Sequence, residues 1–144
     1  YVDYVSEYDN DFNLINVQAT NYANPDISFS PNSVIFGELV YKPVAGFAIA
    51  LQSKYVSKQY MDNTQNESRK LDAYWVNNAR LGYDFSLKGN KNINIGLLAN
   101  NILNKKYESN GYTYSSIYPW GTTTENFYFP QAGTNFLLSL NLKF

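Results

Sequence analysis

A two-residue hydrophobic period, held over long runs, is the feature that most limits what this chain can become. From 131 to 144 the even positions read Ala132, Thr134, Phe136, Leu138, Leu140, Leu142 and Phe144. The odd ones between them are mostly Gln, Gly, Asn, Ser and Lys. Successive side chains of a strand point to opposite faces, so this is a strand with one apolar and one polar face. The pattern recurs in 92–104 (Ile93, Ile95, Leu97, Ala99, Leu103), in 74–87 (Trp75, Ala79, Leu81, Tyr83, Phe85, Leu87), in 46–60 (Phe47, Ile49, Leu51, Tyr55) and, less cleanly, in 33–42 (Ile35, Leu39, Tyr41). The expectation is an all-β antiparallel meander of about five long strands. A strand of 14 residues rises about 46 Å, far more than the usual globular strand, and spans an apolar band of about 25 Å even when tilted.

Charge placement agrees with such a wall. Glu38, Lys54, Lys58, Arg80, Asp84 and Lys143 all fall on the polar parity. A cation on the lipid side of a barrel costs about 2–4 kcal/mol at the midplane, whereas a wet lumen accepts it. A soluble sandwich with one solvated face predicts the same alternation, so parity alone leaves both readings open. Connector lengths discriminate better. The segments 42–45 and 88–91 are short, whereas 61–73 and 105–130 are long and rich in Asn, Gly, Ser, Thr and Tyr. Alternation of short and long connectors suits one rim of turns and one of loops. Aromatics near the strand ends, among them Tyr41, Tyr55, Trp75 and Tyr83, suit either a girdle at headgroup level or ordinary cross-strand packing.

Composition removes other classes. With no His and no Cys, the commonest general base and the soft metal ligands are missing, which argues against a hydrolase, a zinc module and a disulfide scaffold. With 11 Lys plus Arg against 12 Asp plus Glu there is no basic footprint for nucleic acid. The 25 aromatics, 14 Tyr, 9 Phe and 2 Trp, argue against disorder. No run approaches the roughly 20 apolar residues of a spanning helix, which leaves a β-barrel as the way to cross a bilayer. Catalytic, metal and cofactor sites are not expected. Asp62 to Glu67 lacks the mid-loop Gly and the spaced Glu of a calcium loop, and the acidic stretch Asp3, Glu7, Asp9, Asp11 reads as solvated loop. Glu38 and Asp84 would sit on non-adjacent strands, which suits charge balance and not paired acid and base.

Five strands cannot close a membrane barrel, for which eight is the smallest number. The opening Tyr1-Val2-Asp3-Tyr4 and the final Phe144 on an alternating strand suggest a C-terminal piece whose missing strands lie upstream. Residues 100–112, Asn-Asn-Ile-Leu-Asn-Lys-Lys-Tyr-Glu-Ser-Asn-Gly-Tyr, resemble the run that leaves the penultimate strand of TonB-dependent outer-membrane receptors. Residues 129–136, Phe-Pro-Gln-Ala-Gly-Thr-Asn-Phe, and the closing Leu-Asn-Leu-Lys-Phe are similar to the last strand of that family. Ile27 to Asn32 and Lys54 to Thr64 are similar to further runs of its Bacteroidetes-like members.

The resemblance covers about 27–144 and is specific in the last 45 residues. It implies a 22-stranded barrel with an N-terminal plug, of which 1–144 would be the C-terminal segment without plug or TonB box, in the outer membrane of a Gram-negative bacterium. It further implies that Phe136, Leu138, Leu140, Leu142 and Phe144 form the β-signal read by the barrel-assembly machinery, that the rest of the receptor and outer-membrane lipid are partners, and that a surface lipoprotein could cover the mouth. Glu38, Lys54, Lys58, Arg80 and Asp84 would face the lumen. Tyr112, Tyr114, Tyr118 and Trp120, in the longest connector, are candidates for ligand contact by stacking. Two alternatives stand beside this reading: a soluble carbohydrate-binding β-sandwich, and a complete eight-stranded outer-membrane enzyme or adhesin.

Overall fold

The structure is a computed structural model that describes residues 1–87 and 91–143. It is all-β, with eleven strands among the described residues and no helix. The strands are β1 (Val2–Tyr8), β2 (Leu14–Asn21), β3 (Val34–Tyr41), β4 (Phe47–Val56), β5 (Gln59–Tyr60), β6 (Lys70–Leu71), β7 (Tyr74–Leu87), β8 (Lys91–Asn100), β9 (Glu108–Tyr118), β10 (Gly121–Pro130) and β11 (Asn135–Lys143). They divide into two compact units. One comprises Tyr1–Asn32, Ser57–Ala73 and Tyr107–Gln131, and the other Ser33–Val56, Tyr74–Lys106 and Ala132–Phe144.

The second unit is the meander anticipated from the sequence. Its sheet has the order β11-β8-β7-β4-β3, antiparallel throughout, so every strand lies beside its neighbour in sequence within the unit. The register carries the sequence parity across the whole sheet. Leu39, Leu51, Ala79, Ala99 and Phe136 form one transverse row, and Tyr41, Ile49, Leu81, Leu97 and Leu138 the next. The opposite face carries Glu38, Gln52 and Asn78 in one row and Asp84, Asn94 and Asn141 in another. A slip of one residue in any pair would exchange the faces, and the tight turn between β3 and β4 helps prevent it. Gly46 takes φ +79° there, and a Cβ at that position would meet the Asp84 carbonyl oxygen at 2.5 Å, so the turn specifies glycine twice over.

Strand ends differ from the sequence expectation. β4 stops at Val56 rather than at Tyr60, β8 stops at Asn100 rather than at Asn104, and β11 begins at Asn135 rather than at Gln131. Asn101 and Asn104 adopt φ near +50°, a left-handed geometry that Asn tolerates and that ends the ladder. The sheet does not close on itself, and β3 and β11 each have one unpaired edge among the described residues. The expected turn at 88–91 falls largely outside the described residues.

The first unit holds what sequence alone assigned to loops. β9 and β10 form a long hairpin in register from Gly121 opposite Tyr118 to Phe129 opposite Asn110. With β1 and β2 they make a four-stranded sheet of order β10-β9-β1-β2, antiparallel except for a short parallel contact between β1 and β9 at Ser6 and Glu7. The prolines do not break it, because Pro119 lies in the hairpin turn and Pro130 at the end of β10. Segment 57–73 lies over one face of this sheet. Its Met61 and Leu71 are buried, and a Cβ on Gly111 of β9 would come within 2.9 Å of the Met61 sulfur and 2.6 Å of the Phe127 carbonyl oxygen.

Candidate functional site

Two faces carry the chemistry, one in each unit. In the five-stranded sheet the apolar face is bare. Leu138 is 78% exposed, Leu39 69%, Phe136 65% and Trp75 61%, and among the described residues the buried apolar side chains of this unit are Ala50 and Val56. Soluble monomers rarely leave so continuous an apolar surface to water. On the reverse face Glu38 accepts a 2.6 Å hydrogen bond from the Gln52 amide, and Asp84 accepts one of 2.7 Å from Asn94. β4 separates the strands of Glu38 and Asp84, so the two carboxylates are not a catalytic pair, and each is satisfied by an amide.

The expected polar-face positions of Glu38, Lys54, Arg80 and Asp84 are all met by the register. Lys58 is the correction. It lies beyond the end of β4, pairs with Glu67 and reaches toward the Tyr60 ring 5.2 Å away, so it is part of the loop unit. Phe136, Leu138, Leu140 and Leu142 share the bare face of β11. Phe144 lies outside the described residues.

At the turn after β8, one side chain ties down three segments. Asn101 is buried; its amide nitrogen donates to the carbonyl oxygens of Lys105 at 2.9 Å and Ala132 at 3.2 Å. Its side-chain oxygen accepts from the Lys105 N–H at 2.9 Å, while its own N–H donates to Asn78. Asn104 accepts from the Thr134 N–H across the same gap. The run that carries the family resemblance is thus a structural clamp joining the end of β8 to the start of β11.

In the loop unit, Tyr112, Tyr114 and Tyr118 stand on one face of β9, as their even spacing requires. Tyr112 stacks on Phe127 with ring centroids 4.8 Å apart and Tyr114 on the same ring at 5.9 Å. Tyr118 stacks on Trp120 at 4.9 Å, with Tyr8 at 5.6 Å and Phe12 edge-on at 5.9 Å. The four candidates therefore split into two clusters, each completed by further aromatic residues. Phe127 and Phe129 join the first, and Tyr8 and Phe12 the second. A hydrogen bond to Glu125 holds the Tyr114 hydroxyl above its ordinary pKa.

The covered face of the same sheet is organised by Arg69. Its guanidinium donates to Asp62 at 2.8 Å and to the Ser115 hydroxyl, with Asp3 at 3.6 Å. Burial pushes the Asp62 carboxyl up, but hydrogen bonds from Thr64 and Arg69 outweigh it and leave the group below the usual carboxylate range. Nearby, Lys58, Lys70 and Tyr60 converge on Glu67; the hydrogen bond from Lys58 is the largest of the effects that lower its pKa to about 2. Sequence reasoning missed Arg69, because its partners Asp3 and Ser115 lie far away along the chain. Compared with models of protein families, with curated proteins and with solved structures, the chain finds no match in any of the three.

Proposed function

We propose that this chain is barrel wall and extracellular mouth of a TonB-dependent outer-membrane receptor for energised nutrient uptake, without catalysis of its own. The observation that carries the reading is the bare apolar face running through all five strands of one sheet, backed by a face that bears Glu38, Lys54, Arg80, Asp84 and Lys143. A lipid surface covers the first and a wet lumen accepts the second. The soluble sandwich would bury such a face against a second sheet, and the exposures of Leu138, Leu39 and Trp75 do not fit that. The two unpaired sheet edges suit a wall continued by further strands rather than a complete small barrel.

In this reading the residues divide by role. Glu38, Lys54, Arg80 and Asp84 line the lumen, where the plug of the same receptor would sit. The edge strand β11 presents alternate apolar side chains to the barrel-assembly machinery, since an unpaired strand edge can extend another sheet. The excursions 57–73 and 107–131 both leave the five-stranded sheet at the end where Val34, Val56 and Tyr74 lie side by side, which in a receptor would be the end toward the cell exterior. Tyr112, Tyr114, Tyr118 and Trp120 are the proposed ligand contacts there. A surface lipoprotein over the mouth is a compatible partner.

The test is the native polypeptide in isolated outer membranes, detected with an antibody to 112–120 on gels run with and without boiling. A membrane-bound band several times longer than this chain that shifts on heating supports the receptor. A water-soluble band near 16.5 kDa overturns it.

A further inference from the structure

The covered face of the four-stranded sheet holds a small polar patch. On β9 the positions between the tyrosines are Thr113 and Ser115, and the register sets Thr113 beside Asn126 and Ser115 beside Thr124 of β10. Alternate side chains of a strand share a face, so all four stand together. The hydroxyls of Ser115 and Thr124 share a hydrogen bond of 2.7 Å. Segment 57–73 closes over the patch: the Arg69 guanidinium donates to the Ser115 hydroxyl, and the Asn126 side-chain amide donates to the Ser68 carbonyl oxygen at 2.7 Å. Beside it, Gly111, two residues before Thr113 on the same face, lies under the buried Met61 and Leu71.

Three atoms of this patch are buried and make no hydrogen bond among the described residues: Arg69 Nε, Thr113 Oγ1 and Asn126 Oδ1. Arg69 as a whole is 9% exposed. Thr113 and Asn126 face each other across the ladder, and Asn126 is tied to Ser68, the chain neighbour of Arg69, so the three atoms belong to one place. Buried polar groups of folded chains are almost always paired, and three orphans side by side call for a shared partner.

Their chemistry selects it. Arg69 Nε–H only donates, so the partner must accept. Asn126 Oδ1 only accepts, because the nitrogen of that amide is the atom bonded to Ser68, so the partner must also donate. The Thr113 hydroxyl serves either way. A metal cation fails the first condition and would sit against a guanidinium. An anion fails the second and would lie near Asp62 and Asp3, which are 2.8 and 3.6 Å from that guanidinium. Water meets both conditions, and about three protein partners are usual for a buried water.

We infer that one ordered water is built into this unit, accepting from Arg69 Nε–H, donating to Asn126 Oδ1 and bonded to the Thr113 hydroxyl. It joins segment 57–73 to the β9–β10 hairpin and extends the hold of Arg69 from the Ser115 row to the Thr113 row. The site goes beyond the receptor reading and does not depend on it, since every residue involved lies in one compact unit.

The test is a crystal structure of the full polypeptide, grown with and without sodium bromide, at a resolution that shows ordered water. The expected result is a density peak within about 3.2 Å of Arg69 Nε, Thr113 Oγ1 and Asn126 Oδ1, with no anomalous signal from bromide. Absence of the peak, or a direct hydrogen bond from the Thr113 hydroxyl to Asn126 Oδ1, overturns the site. A bromide signal there overturns the choice of water. In solution, Thr113→Val removes one arm of the bridge and should raise protease cutting within 57–73 by about fivefold, whereas Thr113→Ser keeps the hydroxyl and should match wild type. Equal cutting of the valine variant and wild type would contradict the role of the water in holding that segment.

Discussion

Two residues organise the chain out of proportion to their size. Asn101 satisfies three backbone groups from one amide while holding φ +50°. Asn101→Ala removes the partners and keeps the strained φ, so a loss of about 2–3 kcal/mol is expected, read as a lower urea midpoint for unfolding from detergent or lipid. Asn101→Gly relieves the backbone and should cost less than the alanine. Arg69 does the equivalent work under the loop sheet. Arg69→Met leaves the half-buried Asp62 without its cation, a change expected to cost about 1–2 kcal/mol locally and to speed hydrogen exchange across 57–73 while leaving β7 and β8 protected. Neither residue stands out in the sequence, since the chain has 20 Asn and the partners of Arg69 are remote.

At the scale of elements, the two faces of β11 make opposite predictions. Leu138→Arg places a cation midway along the apolar face and should cost about 2–4 kcal/mol, lowering the amount of heat-modifiable protein in the membrane. Ser139→Arg, on the polar face beside Gly96, should insert nearly as well as wild type. Equal amounts of the two variants in the membrane would contradict the assignment of faces. The loop segment 57–73 carries its own pH dependence. Asp62 and Glu67 both have folded pKa values below their unfolded ones, so their contribution is complete above the ordinary carboxylate range and is lost as pH falls through the folded values. Protease cutting within 57–73 should therefore rise between pH 4.5 and about 2, with no change between pH 6 and 8. β9 and β10 were hidden in the sequence because Ser, Thr, Asn and Gly read as loop, and because Pro119 and Pro130 bracket the second strand. The alternation Tyr112, Tyr114, Ser116, Tyr118 against Thr113, Ser115, Ile117 was the available signal.

For the whole molecule, the decisive property is that neither unit buries a thick core. The buried apolar side chains among the described residues are Ala50, Val56, Met61 and Leu71. Such a chain needs an outside surface to cover it, and the proposed bilayer would supply one. The five strands of the meander, their order and their faces were legible from sequence, because a two-residue period over long runs admits one structure and cross-strand register then follows from short turns. Sequence could not decide where each ladder stops, because the left-handed Asn101 and Asn104 look like any other Asn. Nor could it decide that the long connectors form a second sheet, or that Arg69 binds Asp62 and Ser115 beneath it. Those outcomes depend on contacts between residues tens of positions apart, and a local pattern carries no record of them. Period is a property of one strand, whereas burial, pairing and closure belong to several at once.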